Sequence, residues 1–249
     1  MSKIVYDCRW SHEITPEFMA DFLFVLNKIW TTETTENQFE IRYKKNIYGK
    51  SLLIIAYVDG KLAATQAFWR NDINDRKAYQ SGDSAVLEQY RGKGIFKEMV
   101  KRGTELLGDD ILIYGFPNNN STPTFIKLGY DMLCSHVIRL FYNAKRFSRL
   151  CPQEIDFNYA QWYLSKSRRI FYVKRHSCYF LVVPTSRRYV YQIISSCDKH
   201  TALLFEKGKN CSLLVYAPQS NVISNEKKGN IIVMGYKGEY IPLWKCDAV

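Results

Sequence analysis

The chain has 249 residues, 47% of them hydrophobic and 15% aromatic, enough to bury a sizeable core in one large domain or two small ones. Its net charge of +11 favours polyanionic partners, but the basic residues are scattered or lie in short pairs such as Lys44-Lys45 and Arg187-Arg188, so solvated surface accounts for most of them and nucleic-acid binding ranks last among the functions considered. No apolar run approaches the ~18 residues of a spanning helix, MSKIVYDCRW lacks the apolar core of a secretory signal, and the seven cysteines show no C-x-x-C spacing, so the expectation is a cytoplasmic protein with reduced thiols, no membrane and no metal.

The first strand is expected over 3–10. Thr15-Pro16 then starts a helix, a hydroxyl cap followed by a proline whose missing N–H costs nothing there, with Phe18, Phe22, Leu26 and Ile29 on one face to about Trp30. A second helix is expected over 35–45 with Phe39 and Tyr43 inward. Strands follow at 51–58, 61–70 and 77–87, the first two joined by the tight-turn pair Asp59-Gly60. Residues 89–107, QYRGKGIFKEMVKRGTELL, place Ile95, Phe96, Met99, Val100, Leu106 and Leu107 at helical spacing. A strand at 111–116, a helix within 118–130 and a long strand at 136–147 complete the first half, and Cys151-Pro152 is a candidate boundary. Beyond it we expect a helix at 154–164, strands at 169–174, 178–183 and 189–194, a short helix at 198–208, strands at 211–217 and 230–236, and an exposed loop at 218–229. The reading is an α/β chain of two domains, 1–148 and 149–249.

The informative junction is strand, glycine turn, helix. Gly92 and Gly94 let the backbone turn with positive φ and let a ligand approach. The first amides of the helix have no partner within it, and with the helix dipole they make an anion site to which Arg91 and Lys93 add charge. The ligand chemistry is a phosphate, most simply a pyrophosphate. Residue 97 is Lys, so the dinucleotide G-x-G-x-x-G is absent, and so is the P-loop. A plain structural turn is the competing reading.

Gln89, Gly92 and Gly94 form Q-x-x-G-x-G after a strand ending in Val86, and Lys127-Leu128-Gly129-Tyr130 follows at the spacing of a "KLGF"-type end. Together these resemble the GNAT (GCN5-related N-acetyltransferase) superfamily over roughly residues 50–143. The resemblance implies a mixed sheet carrying helices, and transfer of an acyl group from a coenzyme A thioester to an amine by direct attack, with acetyl-CoA as cosubstrate. It implies that backbone amides of 91–95, including that of Ile95, hold the pyrophosphate. The strand around Val86 would pair with the pantetheine arm, which enters where strands 77–87 and 111–116 splay apart. Asn118 stands where the family's coenzyme-contacting Asn stands, although a turn or cap role is equally open. The family's tyrosine acid is replaced by Phe125, so Tyr130, Tyr114 or solvent would return the proton. Asp83 is the candidate base, weighed against an ordinary partnered carboxylate. The expected acceptor is a small-molecule amine or amino sugar, with a homodimer left open. The second half reads as a reduced GNAT-like unit lacking a second R-G-x-G. A non-catalytic acyl-CoA-binding module is the alternative, because of Phe125.

Overall fold

A computed structural model of the protein describes residues 2–30, 33–73, 76–135, 139–141, 155–164, 169–175, 177–184, 190–208, 213–216, 219–220 and 230–237. The chain divides into two compact units, Met1–Leu133 with Asn230–Glu239, and Cys134–Gly229 with Tyr240–Val249. The expected boundary at Cys151-Pro152 lies outside the described residues.

In chain order the elements are β1 (Ile4–Trp10), α1 (Pro16–Ile29), α2 (Glu36–Phe39) running into a π-helical turn (Glu40–Lys44), β2 (Leu52–Val58), β3 (Lys61–Arg70), β4 (Ala78–Val86), a 3-10 turn (Glu88–Tyr90), α3 (Ile95–Leu107), β5 (Leu112–Gly115), α4 (Thr122–Lys127) and β6 (Asp131–Ser135). The second unit holds β7 (Arg139–Phe141), a helix over Phe157–Trp162, β8 (Phe171–Arg175), β9 (Cys178–Pro184), β10 (Val190–Cys197), a helix over Lys199–Ala202, β11 (Glu206–Lys207), β12 (Leu213–Tyr216) and β13 (Gln219–Ser220). β14 (Asn230–Met234) follows.

The local signals have the expected consequences. Thr15 Oγ1 accepts from Phe18 N at 3.3 Å at the start of α1. Thr35 and Gln38 form a capping box at α2. Val58 faces Lys61 across the Asp59-Gly60 turn.

The first unit's sheet runs in the order β1-β2-β3-β4-β5-β14-β6. It is antiparallel from β1 to β4, parallel at β4–β5 and antiparallel at β5–β14. Both faces are covered, so the central strands are apolar nearly throughout. On one face Leu52, Ile54, Ala64 and Phe68 pack with Ile95, Met99 and Val100 of α3 and Phe125 of α4. On the other, Leu53, Ile55, Ala67 and Trp69 pack with Phe18, Phe22 and Leu26 of α1 and with Phe39 and Tyr43. Helix α3 comes so close to β3 that a Cβ on Gly103 would lie 2.1 Å from Phe68 Cε2.

Three differences from the sequence reading bear on the site. The helix expected over 35–45 changes to π-helical winding at Glu40, with Lys45 N donating to Glu40 O at 2.7 Å. In place of the one strand expected over 136–147, the described residues give β6 at Asp131–Ser135, directly after Gly129 (φ 86°) ends α4, and β7 at Arg139–Phe141, paired with β12; 136–138 and 142–147 lie outside the described residues. The strand expected at 230–236 pairs with β5 of the first unit through Ile232↔Gly115, Val233↔Tyr114 and Met234↔Ile113. Its run of Ile231, Ile232 and Val233 is fully buried, as an interior strand requires.

The second unit's sheet has the order β11-β8-β9-β10-β12-β7. Its β8-β9-β10 meander is antiparallel, β10 carries a register shift between Ile193 and Ser195, and β10 then pairs in parallel with β12. That sequence of pairings repeats the one from β2 to β5. The helix expected over 198–208 is shorter, Lys199–Ala202, and β11 takes Glu206–Lys207.

Candidate functional site

β4 passes through the 3-10 turn into Arg91–Gly94, all exposed. Gly92 and Gly94 adopt φ of 76° and 75°, the left-handed region that costs an ordinary side chain about 1–2 kcal/mol. Gly94 precedes α3 and offers no side-chain cap. The first amide of α3 to find a backbone partner is that of Glu98, 3.1 Å from Gly94 O. The preceding amides, up to Lys97, point out of the helix start, so the turn is an uncapped cluster of N–H donors at the positive end of a helix of 13 residues. Ile95 contributes its amide alone, since its side chain is 2% exposed beneath α3. Gln89 is exposed in the 3-10 turn. The Lys93 ammonium lies 5.4 Å from the centre of the Tyr90 ring. Arg91 Nε donates to Val86 O at 3.2 Å and so folds back over the end of β4.

The splay expected between β4 and β5 is present. Their parallel pairing runs from Ala78↔Leu112 to Ser81↔Gly115 and stops there. Among the described residues, β4 continues to Val86 with β3 as its only strand partner, which leaves one edge of Gly82–Val86 without a ladder. Gln66, fully buried on β3, fixes this backbone. Its Nε2 lies 2.9 Å from Ala67 O, 3.0 Å from Ser81 Oγ and 3.3 Å from Gly82 O, and Ser84 donates to its Oε1. The sequence carries a signal for it, a lone amide within the apolar run of β3.

Asp83 sits at the bulge in β4, opposite Gln66, with φ of 46°. Its Oδ2 accepts from Arg42 Nη1 at 2.5 Å and from the Tyr43 hydroxyl. Tyr43 is 1% exposed, packed against Phe39 and Trp69, while the Arg42 guanidinium lies 5.3 Å from the Trp69 ring centre. Burial first, then the negative charge of Asp83, push the Tyr43 phenol well above its usual range, so it stays a donor. Adjacent residues on a regular helix diverge by about 100°, since one turn takes ~3.6 residues. The wider winding at Glu40–Lys44 accompanies the convergence of Arg42 and Tyr43 on one oxygen. Neither was picked out as a functional residue from the sequence.

Asn118 lies just past the end of β5, where its Oδ1 accepts from Asn120 N (3.0 Å), Ser121 N (3.0 Å) and Ser121 Oγ (3.1 Å). Its side-chain oxygen therefore closes the turn before α4. Tyr130 is 3% exposed and shares a 2.7 Å hydrogen bond with Thr104 Oγ1; burial pushes its phenol up to about 12. Thr104 lies ten residues beyond Gly94, about 15 Å along α3 at ~1.5 Å per residue. Phe125, 4% exposed, packs edge-on to Phe96 and Tyr130. Tyr114 is fully buried and donates to Asn71 O at 3.2 Å. The structure thus brings Val86, Gln89 and Arg91–Ile95 together at one end of β4, with Asp83 on the same strand, and seats Tyr130 in the core behind α3.

No protein-family model and no curated protein sequence matches this chain. Solved structures do. A protein from Pyrococcus horikoshii, provisionally described as an acetyltransferase, superposes with a TM-score of 0.53 at 12% identity, over 96% of this chain and 92% of its own. A conserved protein of unknown function from Enterococcus faecalis V583, provisionally described as an N-acyltransferase, gives 0.52 at 12% identity, over 93% and 72%. At such identities the likeness concerns the fold alone, which is a GNAT fold.

Proposed function

We propose that this protein is an acyl-CoA-dependent N-acyltransferase that moves acetyl from acetyl-CoA to a primary amine of a small molecule or amino sugar. The observation that carries the reading is the continuity of two backbone surfaces, a strand edge that no other described strand pairs and a cluster of uncapped amides. The open edge of Gly82–Val86 runs directly into the uncapped amides of the glycine turn. An extended arm ending in a pyrophosphate matches that pair, the edge by strand-like hydrogen bonds and the turn by charge-assisted ones. Coenzyme A has that form, and bound here it would supply the activated acyl group as a thioester.

Amides from Gly92 to Ile95 hold the phosphates, and Arg91 swings from Val86 O to join them. An open-edge amide near Gly82 polarises the reacting carbonyl. Asp83 is the base that takes the amine proton, with Arg42 and Tyr43 fixing its orientation. Tyr130 and Asn118 serve packing and the turn, and water at the exposed loop returns the proton. The second unit is a reduced GNAT-like copy without a coenzyme site. Its helix start is occupied by its own anion: Asp198 Oδ1 accepts from Thr201 N at 2.6 Å, the bond that chiefly lowers its pKa.

A non-catalytic acyl-CoA-binding role is the second reading, favoured by the burial of both Phe125 and Tyr130. An amine panel incubated with acetyl-CoA, read as released thiol, separates the two. Release that depends on an amine supports transfer; binding without release in any amine leaves the binding role.

A further inference from the structure

At the end of the sheet opposite the glycine turn lies a cavity of about 340 Å³, lined by Trp10, His12, Lys50, Arg70, Lys77 and Tyr79. Strand register brings these residues together. Trp10 faces Leu52, Leu52 faces Phe68, and Arg70 faces Tyr79, so the last residues of β1 and β3 and the first of β2 and β4 share one rim. β4 separates this rim from the glycine turn: Lys77 to Val86 is nine steps, about 30 Å of extended chain at ~3.3 Å each. The volume sits at the lower end of the range for small-molecule sites, roughly 300–1,000 Å³.

Among the described residues the lining is cationic and aromatic, with no carboxylate in it. Two nearby carboxylates are bonded to rim residues. Asp72 grips Arg70 through both oxygens, with Arg70 Nη2 at 2.9 Å from Oδ2, and also accepts from Ala78 N at 3.1 Å. Glu13 accepts from Trp10 N at 2.9 Å. Arg70 is thereby held in one orientation, 5.7 Å from the centre of the Tyr79 ring, with Lys77 Nζ at 5.9 Å from the same ring. Tyr79, 2% exposed, is the floor, and half-buried Trp10 is a wall. Lys50 Nζ stands 3.4 Å from His12 Nε2 across the mouth. A guanidinium held by Asp72 and two exposed ammonium groups around an aromatic slot attract a compact anion that carries a flat ring.

We propose that this cavity is a second ligand site, distinct from the coenzyme turn, for a nucleoside monophosphate, with the phosphate on Lys50, Lys77 and Arg70 and the base against Trp10. Charge-assisted hydrogen bonds are worth about 1.5–3 kcal/mol each, so every lysine lost costs on the order of tenfold in affinity.

The test is a calorimetric titration of the full chain with adenosine 5′-monophosphate. We expect one site per chain, affinity reduced about 100-fold in Lys50→Ala/Lys77→Ala, and unaltered affinity in Gly92→Val, whose change lies at the other end of β4. Both lysines are exposed, and circular dichroism checks that the variants fold. Trp10→Leu should lower affinity for the nucleotide while leaving that for inorganic phosphate unchanged. No binding by wild type at millimolar nucleotide, binding indifferent to the two lysines, or binding lost in Gly92→Val would each overturn the proposal.

Discussion

Replacing Gly92 by valine distinguishes a coenzyme loop from a mere turn. A Cβ on Gly92 would meet no atom within 4 Å, so the folded chain has room for the new side chain. The cost to the fold is the φ of 76°, about 1–2 kcal/mol for an L-residue and somewhat more for a β-branched one. For a chain of this size that is a fall of about 2–8 °C in melting temperature. The ligand suffers more, because the open space beside Gly92 is where phosphate oxygens would approach. Losing two charge-assisted hydrogen bonds at about 1.5–3 kcal/mol each weakens acetyl-CoA binding by roughly 10²–10⁴-fold. Calorimetric titration reads the affinity, and scanning calorimetry reads the stability. A folded Gly92→Val protein that binds acetyl-CoA like wild type would refute the reasoning and reduce Arg91–Gly94 to a connection between β4 and α3.

Three further outcomes follow from the site. Asp83→Asn should cut turnover by about 10²–10⁴-fold, the usual worth of a general base, with the coenzyme dissociation constant nearly unchanged; steady-state rates would test this, and wild-type turnover would exclude Asp83 from the chemistry. Phe125→Tyr should not raise turnover, because position 125 is 4% exposed, and the added hydroxyl should destabilise the protein by about 1–3 kcal/mol in thermal unfolding. Tyr130, with its folded pKa raised from 10.0 to about 12, lends stability that is complete below pH 10 and lost as pH rises toward 12. Tyr130→Phe should therefore flatten the stability profile across that window by up to about 2–3 kcal/mol and leave turnover at pH 7 intact; a large loss of turnover would make Tyr130 a proton donor after all.

What the sequence disclosed is what depends on neighbours along the chain. Thr15-Pro16 starts α1, Asp59-Gly60 turns β2 into β3, and Gly92 and Gly94 turn β4 into α3, each through a backbone preference encoded within a few residues. The amides at the head of α3 follow from helix geometry alone. The parts that stayed hidden depend on distant partners. Arg42 and Tyr43 reach Asp83 only because π-helical winding meets a bulge some forty residues on. Tyr130 carries the same hydroxyl whether it faces a cleft or Thr104, and nothing local chooses between them. β14 is legible as a strand, yet its pairing with β5, more than a hundred residues earlier, leaves no mark in either segment. The cationic cavity is assembled from the ends of four strands, so its residues are scattered from Trp10 to Tyr79.

The measurement that bears most directly on the account is the stoichiometry of acetyl-CoA binding to the full chain by calorimetric titration. One site per chain, with a raised melting temperature because the ligand binds the native state, is the predicted result. Two equivalent sites would contradict the assignment of the coenzyme to the first unit alone, and no binding at millimolar acetyl-CoA would contradict the proposed function.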